Sequence, residues 1–189
     1  MLTINTKPPA FVSRAIGILE GRLTLDPART EKAVTLTTRD GAVIPGGVHG
    51  KAMNAIIENP MLLAVDVRVL VYPRTVKSKL EIIVVDIEEK GDETSELNDL
   101  FLIQGMNRGS KFRHLSRVGI RSNRGSKHTI EKFWLSLFGK LTNNERCVYS
   151  IKALRKGRKL FILKSEPILP NNKCQTPKMA RPKSTVLTS

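Results

Sequence analysis

Aromatic side chains are scarce in this chain: they make up 5% of 189 residues, with a single tryptophan. Any role that needs flat rings therefore falls on a few named positions. Cysteine is scarcer still. Cys147 sits in an apolar, strand-like run and Cys174 in a polar tail, a pair of contexts that excludes a disulfide framework and fits a reduced, cytoplasmic compartment. His49, His114 and His128 are scattered, and no CxxC or HxxxH spacing occurs; no metal site or cofactor is implied. The longest apolar runs, such as Leu62 to Val65 and Ile82 to Val85, fall far short of the about 18 residues a membrane helix needs. The opening MLTINTKPPAF lacks the basic-then-apolar order of a signal peptide, so the expectation is a cytoplasmic protein with no membrane partner.

Acid is missing from one half. Residues 1–91 carry a net charge of +2, residues 92–100 carry −4, and residues 101–189 carry 20 bases against three acids, a net of +17. Self-repulsion of that size in one half points to a polyanionic partner. The chain is 40% hydrophobic and 26% charged, enough for a buried core in one domain or two small ones.

Element order divides the chain in two. Ala15 to Leu23 reads as a strand bent at Gly17 and Gly21. Lys32 to Thr38 alternates, with Val34 and Leu36 on one face, and Asp40-Gly41 turns it into Ala42 to Ile44. Lys51 to Leu63 has Ala52, Ala55 and Ile56 at helical spacing and a stop at Asn59-Pro60. Val65 to Tyr72 and Leu80 to Ile87 are two further strands. Residues 10–90 thus form a barrel-sized unit with a helix between its third and fourth strands, 91–99 an acidic linker, 100–169 a second, basic β domain, and 170–189 a polar tail expected to be disordered. In the second domain Phe101 to Gln104 and Arg117 to Arg121 read as strands, and Val148 to Leu154 with Lys159 to Lys164 as a hairpin around Lys156-Gly157. Ile130 to Leu141 fits two periods. As a helix it aligns Ile130, Phe133, Trp134, Leu137, Phe138 and Leu141, all core. As a strand it puts Phe133, Leu135, Leu137 and Leu141 inside and Lys132, Trp134, Ser136, Phe138 and Lys140 outside; the strand is favoured by its aromatics and by its neighbours.

The order strand, strand, strand, helix, strand, strand over Ala10 to Glu89 resembles OB-fold nucleic-acid-binding proteins. The chain also resembles an uncharacterised cyanobacterial family of two OB-like halves, in the phrase FLIQG that begins the second half and the basic hairpin YSIKALRKGRKLFILKSEPI that ends it. Together these imply a mainly β fold with one helix, two small OB-like barrels in tandem. The OB resemblance implies oligonucleotide contacts on the second and third strands and the loop between the last two, here Lys32 to Ile44 and Tyr72 to Lys79, with Arg39, Arg74, Lys77 and Lys79 as candidates.

Catalytic motifs fail one by one. PGGVHGKA at Pro45 to Ala52 has proline where a phosphate loop needs its first glycine and alanine where it needs a hydroxyl; Gly46 and Gly47 read more simply as the loop leading into the helix. Asp86, Glu88 and Glu89 read as a solvated strand end, and no enzyme is expected. What remains is the basic half. The pentapeptide NRGSK occurs at Asn107 and again at Asn123, and Gln104 to His128 holds Arg108, Lys111, Arg113, Arg117, Arg121, Arg124 and Lys127 without an acid. With the strand reading, Trp134 and Phe138 join them between Lys132 and Lys140. Lys152, Arg155, Lys156, Arg158 and Lys159 cluster about the C-terminal hairpin. Cations interleaved with stacking rings suit a single-stranded nucleic acid. The alternative is an adaptor whose first barrel docks a protein and whose basic half meets an acidic protein surface.

Overall fold

The computed structural model describes residues 14–26, 28, 30, 32–90, 98–109, 112–122, 131–141 and 147–168, with the side chains of 121, 122, 131 and 132 excepted. The expected tail and most of the expected linker lie outside them. The first strand, β1 (Arg14–Leu25), is twelve residues long because it serves three partners. Its C-terminal part pairs antiparallel with β2 (Ala33–Thr38) and β4 (Asp66–Val76), and its first residues pair with β6 (Leu100–Asn107). The glycines expected to bend it mark close approaches. A Cβ on Gly17 would lie 2.3 Å from the Phe101 ring, and one on Gly21 would lie 2.2 Å from the Thr37 carbonyl oxygen.

The first barrel closes through β1, β2, β3 (Val43–Val48), β5 (Lys79–Glu89) and β4, with β4 returning to β1. Helix α1 (Gly50–Glu58) follows β3, burying Ala52 and Ile56 against the barrel. It stops where the sequence indicated: Asn59 accepts through its side chain from the Met61 amide (3.2 Å), and Pro60 begins a 3-10 turn over Pro60–Leu63. Two expectations are corrected here. Gly46 and Gly47 are strand, not a loop leading into the helix, because β3 runs parallel to β5 so closely that a Cβ on Gly46 would lie 2.0 Å from the Ile82 carbonyl oxygen. Tyr72 to Lys79 is also not a loop. It is the end of β4 and the start of β5 around a tight turn in which Lys77 and Ser78 take φ of 50° and 61°, left-handed values that hairpin turns require.

The second barrel repeats this connectivity with β6, β7 (Leu115–Ser122), β8 (Glu131–Phe138), β10 (Lys159–Ile168) and β9 (Val148–Lys156), and β9 returns to β6. Its third and fifth strands, like those of the first barrel, run parallel. The ambiguous apolar segment is the strand β8. Eight register pairs with β7 satisfy its backbone, and Leu135 and Leu137 are buried while Trp134 points outward. The expected mainly β fold, with one α-helix among the described residues, is thus present, and the strand pairings close into two five-stranded barrels.

The barrels share one ten-stranded sheet through β1 and β6, and their buried residues form one cluster. Asn98 and Asp99, at the end of the acidic stretch, are stitched to both sides: the Asp99 amide donates to the Ile18 carbonyl (2.9 Å), and the Arg155 amide donates to the Asp99 carbonyl (2.9 Å). Arg155 completes the joint. Its side chain is 3% exposed. Nε donates to Asp99 (2.6 Å), Nη1 to Asp40 and to the Gly157 carbonyl (3.0 Å each), and Nη2 to the other Asp40 oxygen (3.0 Å). Burial works against its charge, but the hydrogen bonds to Asp99 and Asp40 outweigh it and raise its pKa.

The Arg155 hydrogen bond, followed by that of Thr38, holds the Asp40 carboxyl well below its ordinary value of 3.8. A depressed folded-state pKa adds stability that is present above the unfolded value and is lost as pH falls towards the folded one. Asp40→Asn is therefore expected to destabilise the protein by about 1–2 kcal/mol near neutral pH, a modest figure because Asp40 is half in water. That deficit should shrink as pH drops below 3.8. Urea midpoints for both proteins at neutral and acid pH check this; a deficit independent of pH would contradict it.

Candidate nucleic-acid interface

Alternation along β7 and β8 puts Arg117 and Gly119 on the outer face with Trp134, Ser136 and Phe138. Gly119 is the register partner of Trp134, and Arg117 that of Ser136. The bare glycine gives the indole a flat seat, since a Cβ there would come within 3.1 Å of the ring. Trp134 is 44% exposed. The Arg108 guanidinium stands 5.4 Å from the ring centroid, and the Arg108 amide donates to the Arg117 carbonyl (2.9 Å). One ring and two cations are thus held together by backbone geometry.

A second aromatic group begins four residues further along β8, about 13 Å away at strand rise. Phe138 lies 5.3 Å from Phe161 and 6.3 Å from His114, which is nearly parallel to it at 23°. Phe112, exposed, extends the row beyond His114 at 6.3 Å. Lys159 sits over Phe138 at 4.9 Å and Lys156 over Phe161 at 5.9 Å. Cation–π contacts of this kind orient a lysine while leaving its charge available to a partner.

The sequence-derived candidates therefore separate. Arg108, Arg117, Trp134, Phe138, Lys156 and Lys159 share this face. Arg113, beside Phe112 and His114 in the chain, and Lys140, just past β8, are exposed. Lys152 is exposed on β9 between its register partners Leu102 on β6 and Lys164 on β10, away from the Phe161 end of the hairpin that Lys156 reaches. Arg155 is corrected: its guanidinium is buried on Asp40 and Asp99 and offers nothing to a ligand. Arg158 is directed inward to the first barrel, with Nε and Nη2 on the Leu80 carbonyl (3.4 and 3.3 Å). Arg39 is exposed at the β2–β3 hairpin, in the cleft beside Arg155. Lys111, Arg124 and Lys127 lie outside the described residues, as does the second NRGSK copy; Arg121 and Lys132 belong to β7 and β8, but their side chains are also outside them.

Sequence reasoning missed Gly119 as a seat, the Phe112, His114 and Phe161 extension, and Thr75. The β4–β5 hairpin, which carries Arg74, Lys77 and Lys79, reaches across to the second barrel. The Thr75 hydroxyl donates to the Trp134 carbonyl (3.1 Å) and accepts from the Ser136 amide (2.9 Å). β8 meets β10 only at Leu137 and Phe138, so one side chain closes a strand edge that would otherwise stand open. The acids at the end of β5 are engaged as well: Asp86 pairs with Lys51, and Glu88 accepts from Arg68 (3.4 Å).

Among the described residues no group of three or more His, Cys, Asp or Glu side chains is placed to hold a metal ion, and no helix is long and apolar enough to cross a membrane. Compared with protein-family models and with curated proteins, the chain matches none.

Thr75→Val keeps the shape and removes both hydrogen bonds. The expected cost is about 0.5–1.5 kcal/mol, because the Trp134 carbonyl bond is exposed and the Ser136 amide bond only partly buried. Hydrogen exchange at the Ser136 amide gives the local readout. It should accelerate in the variant beyond what the global stability change explains; unchanged relative protection would show that the hairpin contact does not hold β8.

Proposed function

We propose that this protein is a non-enzymatic nucleic-acid binder that takes a single strand across the outer face of β7 and β8. The observation that carries this reading is Trp134: a half-exposed indole seated on a glycine, with Arg108 over it and Arg117 beside it. A ring so placed accepts the face of a base, and the neighbouring cations meet the phosphates on either side. A duplex hides its base faces, whereas a single strand offers them.

The second ring group supports the same partner. Its separation from Trp134, about 13 Å, exceeds one stacked step of about 3.4 Å, so the two platforms hold bases that are not consecutive in a stack. The +17 charge of residues 101–189 supplies the sequence-independent attraction, and the OB-like connectivity is one on which oligonucleotide binding is common.

Fluorescence anisotropy with labelled single-stranded DNA, single-stranded RNA and duplex DNA over a range of salt tests the reading. If Arg108, Arg113, Arg117, Lys156 and Lys159 each meet one phosphate, the log–log salt slope for a single strand is about −3.5. Trp134→Ala should weaken single-strand binding by about 1–3 kcal/mol with little change in that slope. Equal affinity of Trp134→Ala and the parent protein would remove the stacking face from the account. No binding of any nucleic acid near physiological salt would turn the basic half towards an acidic protein surface.

A further inference from the structure

The outer surface of the first barrel carries a groove of about 520 Å³ whose lining includes Gly47, Ile83, Arg74, Glu81, His49 and Thr30. Its glycine is the unusual part. Gly46 next to it is required by packing, as shown above. Gly47 is not: its φ is an ordinary one, and a Cβ would meet only the Lys32 carbonyl oxygen, at 3.5 Å. Glycine in mid-strand costs about 0.5–1 kcal/mol relative to a residue with a side chain. A strand glycine often marks a bulge, a bend or a place where another backbone or a ligand approaches closely; at Gly47 no protein atom comes closer to a Cβ than the Lys32 carbonyl oxygen, which leaves room for a ligand.

The walls say which part of a ligand fits. Arg74 and Glu81 are register partners across β4 and β5, and Ile83 is the partner of Gly47 across β3 and β5. Glu81 disfavours a phosphate in the groove and accepts a hydrogen bond from an exocyclic amino group, as carboxylates do with cytosine. Ile83 offers apolar surface to a ring. Arg74 is the residue immediately before Thr75, whose side chain is fixed to the Trp134 carbonyl and the Ser136 amide. The groove wall and the stacking strand are therefore joined through adjacent residues.

We infer that the groove is a base pocket for a further nucleotide of the strand bound at Trp134, and that it selects a base with an exocyclic amino group over thymine or uracil. This rests on the single-strand reading above. Gly47 leaves room for the base, Glu81 accepts from its amino group, and Arg74 meets the adjoining phosphate as the strand crosses the β4–β5 hairpin.

The test compares labelled oligo-dC and oligo-dT of about 16 nucleotides, at the upper end of what one such barrel covers, on the full chain and three variants. The parent should prefer oligo-dC by about fivefold or more. Gly47→Val fills the groove with a residue suited to a strand and should abolish the preference without lowering the melting temperature. The isosteric Glu81→Gln, which can also donate to a thymine carbonyl, should abolish it as well and decides the matter if Gly47→Val folds poorly. Trp134→Ala should weaken both oligonucleotides and keep their ratio. Equal binding of the two by the parent, or a preference that survives Glu81→Gln, would overturn the pocket while leaving the stacking face standing. A parent protein that binds neither overturns both.

Discussion

The guanidinium of Arg155 is the interaction on which the arrangement depends. It joins the β2–β3 hairpin at Asp40, the entry to the second barrel at Asp99 and the β9–β10 turn at Gly157. A buried cation is costly unless every donor finds an acceptor. Here the carboxylate acceptors, Asp40 and Asp99, come from upstream of residue 101, and the half that follows holds only three acids. The second barrel thus draws the counter-charges for Arg155 from the joint with the first. The consequence reaches the surface, because the turn that Arg155 fixes, and that Arg158 ties to Leu80, also carries Lys156 and Lys159. Those lysines stand over Phe161 and Phe138. Interior electrostatics and the candidate binding face are two ends of one hairpin.

The two barrels share connectivity and differ in what they display. The third strand of the second barrel presents Trp134 and Phe138 outward; that of the first presents Pro45 and Gly47. Strand order is set by backbone pairing and by inward residues such as Ile44 and Val48 or Leu135 and Leu137. Outward positions are free to diverge under it. Rings thus stand on one barrel and a bare groove on the other, and Thr75 holds the hairpin between them in place.

Much of this was legible in the sequence wherever a period is strict. VDVRVLVY alternates cleanly and is a strand, Asn59-Pro60 ends the helix, and the inside and outside residues of β8 follow once its period is taken as two. Local rules failed where glycine had a tertiary cause. Gly46 and Gly47 look like a loop, yet both are strand; the parallel approach of β5 explains Gly46, and Gly47 lines the open groove beside it. The β4–β5 turn was unreadable because Lys77 and Ser78 lack the usual Asn-Gly signal. Arg155 resembles the four cations around it in the sequence, and nothing local marks its partners, which lie 56 and 115 residues away in the chain. Charge clustering singles out the second half of the chain and does not sort its buried cations from its exposed ones.

The central claim is that the outer face of β7 and β8 takes up unpaired bases. Trp134 is the only tryptophan in the chain, so its emission reports that face alone. Titration with a single-stranded oligonucleotide should quench the emission in step with binding, whereas a duplex of the same length should leave it nearly unchanged. Single-strand binding seen by anisotropy with the Trp134 emission unaltered would contradict the account and place the nucleic acid elsewhere on the basic half.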